Sequence, residues 1–154
     1  MNCAYYNTSL CPIEISYEKD IIMSIRILQD KIKDEGRRTA FSDKAFCSLE
    51  EYFSGKKKDI ILDYVLLGTE FQIKVWSAIL QIPYGETRSY KEIAEKINHP
   101  KSYRAVGSAC NKNPVPFIVP CHRVIGSDGR MVGYGGGINI KEKLIGLEKI
   151  NEED

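Results

Sequence analysis

The stretch SYKEIAEKINHPKSYRAVGSACN, Ser89 to Asn111, decides the architecture of the second half of the chain. Ser89 followed three residues later by Glu92 is a capping box, in which each side chain satisfies a backbone N–H of the other residue, so a helix is expected to open there. Asn98 and His99 interrupt the pattern. Pro100, a favoured first-turn residue, is expected to open a second helix, KSYRAVGSACN. Two short helices across a tight break form a helix-turn-helix. In the second helix Tyr103, Val106 and Cys110 recur at i, i+3 and i+7 and are expected to face the core, with Lys101, Arg104, Ser108 and Asn111 outward. Ala105, Gly107 and Ala109, also on the outward side, are small. Either they let the helix backbone approach a flat or grooved partner, or they are ordinary members of a solvated face.

Upstream, Thr69 and Gln72 form another capping box in front of EFQIKVWSAILQI, whose Phe71, Val75, Ile79 and Ile82 make one apolar stripe ended by Pro83. Trp76 reads as core. The composition changes near Leu67. Before it, the β-branched runs PIEISY (Pro12–Tyr17) and IIMSIRIL (Ile21–Leu28), separated by Glu18, Lys19 and Asp20, predict a hairpin. SDKAFCSLEEYFSG then predicts a helix capped by Ser42, with Ala45, Leu49 and Phe53 inward and Gly55 as its stop, ahead of the basic run Lys56–Lys58. The expected fold is therefore α+β: a small N-terminal sheet-plus-helix lobe over residues 1–67, then a mainly helical C-terminal domain with the helix-turn-helix over 68–154.

Composition narrows the function classes. With 22 Lys and Arg against 21 acidic residues the net charge is +1, so any nucleic-acid surface has to be local. No apolar run approaches the roughly 18 residues of a membrane helix, and Met1–Leu10 has no leader pattern, which makes a cytoplasmic protein without membrane contact the expectation. Five cysteines, Cys3, Cys11, Cys47, Cys110 and Cys121, lack CxxC spacing and fit a reducing compartment. Only His99 and His122 are available as imidazole ligands, so few groups could hold a metal.

Downstream of the second helix lies NPVPFIVPCHRVIG, Asn113–Gly126, with Cys121 between Pro120 and His122. A thiol is a nucleophile only as thiolate, and at its usual pKa of about 8.5 it needs a base or a lowered pKa. His122 is the adjacent base, but neighbours on an extended strand point apart, so the pair requires an irregular backbone or a bridging water. Glu148 stands beside the core face of the last helix, IKEKLIGLEKI, and could orient the other imidazole nitrogen in a Cys-His-acid relay. A buried structural cysteine beside a hydrogen-bonded histidine is the competing reading. GSDG makes a turn, GYGGG does not fit a dinucleotide loop, Asn139 is the expected cap of the last helix, and Ile140, Leu144 and Leu147 are its expected core face.

PCHRV preceded by NPVPFI, with RAVG and IPYGETRSY upstream and GYGGG and LIGLEK downstream, resembles the O6-alkylguanine-DNA alkyltransferase family, collinearly from about Gly68 to Glu148. The resemblance implies direct, irreversible and stoichiometric transfer of an alkyl group from O6-alkylguanine in DNA to Cys121, after the damaged nucleotide is flipped out. O4-alkylthymine is a further candidate substrate. By the same resemblance His122 is the water-linked base, Glu148 the third member of the relay, and Asn113 the hinge asparagine. Arg104 is the finger entering the base stack, and Tyr90 presses on the backbone phosphate and helps protonate guanine. Lys101, Ala105, Gly107 and Ser108 join Arg104 and Tyr90 at the DNA. Tyr134, Val124, Pro116 and the backbone amide of Gly135 form the pocket, Gly135 standing where some members have serine. Cys110 is pocket-adjacent core and not a second acceptor. The first lobe lacks the Cys and His ligands of the zinc site seen in some members, so no metal and no cofactor is expected. The implied partner is double-stranded DNA bound through the minor groove by a monomer. The competing functions are an alkylated-DNA-binding or regulatory protein without transfer, and a Cys-His hydrolase.

Overall fold

Ile13, Ile15 and Tyr17 are buried along Pro12–Glu18, and the strand they form, β2, lies in the middle of an antiparallel sheet between β1 (Asn2–Asn7) and β3 (Ile21–Ile27). β2 and β3 are joined by Lys19 and Asp20, both at positive φ (48° and 60°), the two-residue turn whose twist matches that of the strands. β1 is missing from the sequence reading because only Ala4 and Tyr6 of its six residues are buried, too weak an alternation to mark a strand.

Helix α1 (Ala40–Phe53) buries Ala45, Leu49 and Tyr52. Its cap is Thr39, one turn before the expected Ser42. Thr39 and Ser42 form the capping box together, and Ser42 is fully buried, its hydroxyl 2.7 Å from that of Tyr6. A cap of this kind stabilises a helix by about 1 kcal/mol. Phe53, expected inward, is half-buried, and its neighbour Tyr52 takes the inner position.

The computed structural model describes residues 1–130, 134 and 136–152, and the chain divides into two units, Met1–Leu66 and Leu67–Asp154. In the second unit α2 (Glu70–Ile79) and α3 (Tyr90–Lys96) start at the two expected capping boxes, Thr69 with Gln72 and Ser89 with Glu92. α4 (Tyr103–Asn111) begins three residues later than expected. Pro100 and Lys101 lie in the turn between helices, where Asn98 takes a left-handed conformation (φ 64°) that asparagine tolerates.

The buried face of α4 is Val106, Ala109 and Cys110. Tyr103 is 45% exposed and Ala109 only 2%, the reverse of the expectation for both. The cause is α2: the Trp76 indole N–H donates to the Ala109 carbonyl at 2.9 Å, and this buried bond draws that side of α4 against the tryptophan. Val75, Ile79 and Ile82 complete the core on the α2 side as expected, and Phe71 is half-buried.

A short strand, β4 (Arg88–Ser89), pairs in parallel with β5 (Val124–Ile125), immediately before α3 and immediately after the Cys121 segment. The last helix, α5 (Ile138–Glu152), starts one residue before Asn139, so Asn139 lies inside it and is not the cap. Its inner face is Lys141, Leu144, Ile145 and Glu148. Leu147, expected there, is half-buried, because the face follows i, i+3, i+4, i+7 from Lys141 and not from Ile140.

Candidate active site

Asn113 organises the approach to Cys121. Its side-chain amide donates to the Val119 carbonyl at 2.8 Å and to Cys121 Sγ at 3.2 Å, and its carbonyl oxygen accepts from the Val115 amide at 2.9 Å. The chain between them reverses on itself, with Phe117 in a left-handed conformation at φ 75°. For a bulky residue that is strain of order 1–3 kcal/mol, and it persists because the Asn113 bonds and the burial of Val115, Phe117 and Val119 fix the loop around it.

The backbone then closes a single 3-10 turn, Cys121–Arg123, with the Arg123 amide donating to the Pro120 carbonyl at 2.9 Å. The backbone at Cys121 and His122 is thus irregular and not an extended strand. Cys121 is 2% exposed and His122 fully buried. His122 Nε2 lies 2.7 Å from Glu148 Oε2. Glu148 is itself buried and also accepts from Arg123 Nε at 2.8 Å, from Arg123 Nη2 at 2.9 Å and from the Gly85 amide at 3.1 Å. Arg123 Nη1 reaches the Ile82 carbonyl at 2.8 Å. Gly85 sits at φ 83°, and a Cβ there would meet the Glu152 carboxylate at 2.7 Å, so only glycine brings its amide this close to α5.

Burial and neighbours set the protonation states. Burial pushes the Cys121 thiol well above its usual pKa, and the nearby Cys110 thiol adds to this; Asn113 and Lys141 pull it down. Burial holds the His122 pKa below the ordinary imidazole value, with the Glu148 hydrogen bond opposing. Both shifts favour a protonated thiol and a neutral imidazole at neutral pH.

Two residues of this cluster were not assigned any role from sequence: Arg123 and Lys141. Arg123 lies inside the quoted PCHRV motif, so its place was legible, but the carboxylate it clamps is 25 residues away. Lys141 is fully buried on α5 and its Nζ lies 3.3 Å from the Tyr90 hydroxyl and 5.5 Å from the centre of that ring. Spacing gives one signal, since Lys141 precedes Glu148 by two helical turns on the same face.

The remaining expected residues fall into two groups. Tyr90 is 9% exposed at the start of α3, and burial raises its pKa. Val124 is fully buried in β5, while Pro116 and Tyr134 are half-buried. On the other side, Lys101, Arg104, Ala105 and Ser108 are exposed and Gly107 is half-buried, its Cα facing the Tyr90 ring. Gly135 lies outside the described residues. Among the described residues no group of three His, Cys, Asp or Glu is placed to hold a metal ion.

Known proteins resemble this chain in sequence and in fold. Residues 70–150 match the family described as 6-O-methylguanine DNA methyltransferase, DNA binding domain. The methylated-DNA--protein-cysteine methyltransferase of Methanosarcina barkeri is 55% identical over 111 residues, covering 72% of this chain and 70% of that protein. The crystal structure of Mycobacterium tuberculosis O6-methylguanine methyltransferase superposes with a TM-score of 0.87 at 40% identity, over 97% of this chain and 93% of that one. A structure of Mycobacterium tuberculosis OGT in complex with DNA gives 0.86 at 40% identity, over 98% and 94%. With its family match running from α2 through the Cys121 turn to α5, this chain belongs to the 6-O-methylguanine DNA methyltransferase family.

Proposed function

We propose that this protein repairs DNA by moving the alkyl group of O6-alkylguanine onto Cys121, once per molecule. The observation that supports it most directly is the cluster at the 3-10 turn, where Asn113 donates to Cys121 Sγ and the adjacent His122 is bonded to buried Glu148 at 2.7 Å, in a chain of this family. With Nε2 committed to Glu148, Nδ1 is the nitrogen that takes the thiol proton through a water. Glu148 and its Arg123 clamp keep the imidazole oriented and balance its charge as it becomes imidazolium.

The thiolate attacks the alkyl carbon. The carbon–O6 bond breaks as the sulfur–carbon bond forms, and the electron pair leaves with guanine, which regains the proton released by Cys121. Tyr90, at the start of α3, keeps its own proton, its pKa being raised by burial, and its hydroxyl gives the departing ring a hydrogen bond while the proton that Cys121 passed to His122 goes to guanine. No group in this scheme removes the alkyl from sulfur, so the reaction ends at one turnover and needs no cofactor.

A base inside a duplex hides O6 from any thiol, so the nucleotide has to be extruded. The exposed face of α4 suits the minor groove: Ala105 and Gly107 permit close approach and Arg104 fills the gap left in the stack, with Lys101 and Ser108 beside the phosphates. Tyr134, Val124, Pro116 and the Gly135 amide complete the pocket in this reading. It places a monomer on one lesion, in the cytoplasm, a compartment that suits five cysteines none of which is in a disulfide.

The test is incubation with a duplex carrying one O6-methylguanine, followed by intact and peptide mass measurement. One methyl per chain, on the Cys121 peptide and absent in Cys121→Ser, is the expected result. Methyl on Cys110 or Cys47, or product in excess of protein, would overturn the proposal.

A further inference from the structure

Tyr84 is half-buried beside the Arg123 clamp, and the scheme above gives it no task. It belongs to a four-residue turn, Pro83 to Glu86, closed by the Glu86 amide donating to the Pro83 carbonyl at 3.1 Å, with Gly85 at φ 83° as the third residue. This turn meets the relay at several points. The Gly85 amide donates to Glu148 Oε1 at 3.1 Å, and the Ile82 carbonyl, just before the turn, accepts from Arg123 Nη1 at 2.8 Å. The Arg123 guanidinium lies over the Tyr84 ring, its central carbon 5.5 Å from the ring centre. Asn151 Nδ2 donates to the Tyr84 hydroxyl at 3.2 Å, and Asn151 follows Glu148 by one helical turn on α5.

We infer that Tyr84 is a positioning residue for the relay, its ring fixing the plane of the Arg123 guanidinium so that the Glu148 carboxylate stays aimed at His122. The inference rests on the reading in which the relay serves Cys121. An arginine fork orients a carboxylate because its N–H groups and the two oxygens share one plane, so the tilt of the guanidinium sets the tilt of the carboxylate. The bond to the Ile82 carbonyl sets where one edge of the guanidinium lies, and an aromatic ring against its flat face sets the tilt. The Asn151 bond places that same ring against α5, the helix that carries Glu148. The ion pair so held is nearly dry, with the Arg123 side chain 11% exposed and that of Glu148 2%, and out of water its attraction is stronger. With the Glu148 oxygens accepting from Arg123 and Gly85, His122 Nε2 faces an acceptor and carries the ring proton, which leaves Nδ1 without one. Tyr84 thus acts through Arg123 and Glu148, keeping the imidazole in the tautomer that can receive a proton.

The experiment reads the His122 tautomer by proton–nitrogen NMR of the imidazole in the wild type, Tyr84→Leu and Tyr84→Phe, beside the rate of methyl transfer from a duplex carrying one O6-methylguanine. A thermal melt establishes that each protein is folded, and Tyr84→Met takes the place of a leucine variant that is not. The wild type is expected to show the Nε2–H tautomer alone. Tyr84→Leu keeps apolar bulk but offers the guanidinium no aromatic face. It is expected to show both tautomers and to transfer methyl about tenfold more slowly, the scale of one cation–π contact out of water. Tyr84→Phe keeps the face and loses the bond to Asn151, so it is expected to retain the wild-type tautomer and most of the rate. A single Nε2–H tautomer in Tyr84→Leu would overturn the inference whatever happens to the rate, and so would a tautomer mixture in Tyr84→Phe equal to that of the leucine variant. A mixture that appears in Tyr84→Leu of a protein taking no methyl from DNA would leave the support of the imidazole in place and reject the repair reading.

Discussion

His122, the proposed base, is fully buried, and burial is what keeps it neutral. The same fact has a thermodynamic side. The unfolded chain's imidazole binds a proton near pH 6.5, whereas the folded one resists it to lower pH, so the unfolded state binds more protons as the solution is acidified. Its contribution to stability is present in full above about pH 6.5 and is lost as the pH falls toward the depressed folded value. The denaturant midpoint is therefore expected to decline between neutral pH and about pH 5.5, and to decline less in His122→Leu. Equal declines would show that other groups govern the acid side. The contacts of this residue also mark what sequence could convey. The pairing of His122 with Glu148 was readable from the family order and from the place of Glu148 on the helix face. That Glu148 is shared among a histidine, an arginine and the Gly85 amide was not, because it depends on three segments meeting in space.

Among the elements, those whose start is written in two side chains three apart were readable: α2 and α3 open at the residues their capping boxes named. α4 was placed too early because proline's liking for a first turn competes with its equal suitability for the loop before one. Its face was misjudged for a different reason, since a rotation set by the Trp76 bond to Ala109 leaves no periodic trace. That rotation leaves Arg104 and Ala105 outward, and it bears on the proposed finger. If Arg104 fills the stack, Arg104→Ala should slow transfer from duplex O6-methylguanine by a hundredfold or so, because extrusion costs a few kcal/mol and about 1.4 kcal/mol is tenfold. Reaction with free O6-benzylguanine base should stay near the wild-type rate. Equal losses on both substrates would mean that Arg104 supports the fold of α4 and not the opened duplex.

At the scale of the whole molecule the charge is almost balanced, +1 overall, and by that measure the protein has no reason to seek DNA. The balance is not uniform. Between Arg88 and Lys112 stand six basic residues, Arg88, Lys91, Lys96, Lys101, Arg104 and Lys112, against two acidic ones, Glu92 and Glu95, and all the basic ones but half-buried Arg88 are exposed. A local patch displaces counterions from phosphates whatever the distant charges do, since these are screened beyond about 10 Å at ordinary ionic strength. Binding to duplex DNA is thus expected to weaken on the order of a hundredfold between about 50 and about 200 mM salt if about four phosphates are neutralised. Lys101→Ala and Lys112→Ala together should make that dependence shallower by about two counterions, with similar effects on alkylated and undamaged duplexes, because phosphate contacts do not read the base. Fluorescence anisotropy across a salt series measures both. A flat dependence in the wild type, or an unchanged slope in the double variant, would move the docking face away from α4 and the turn before it.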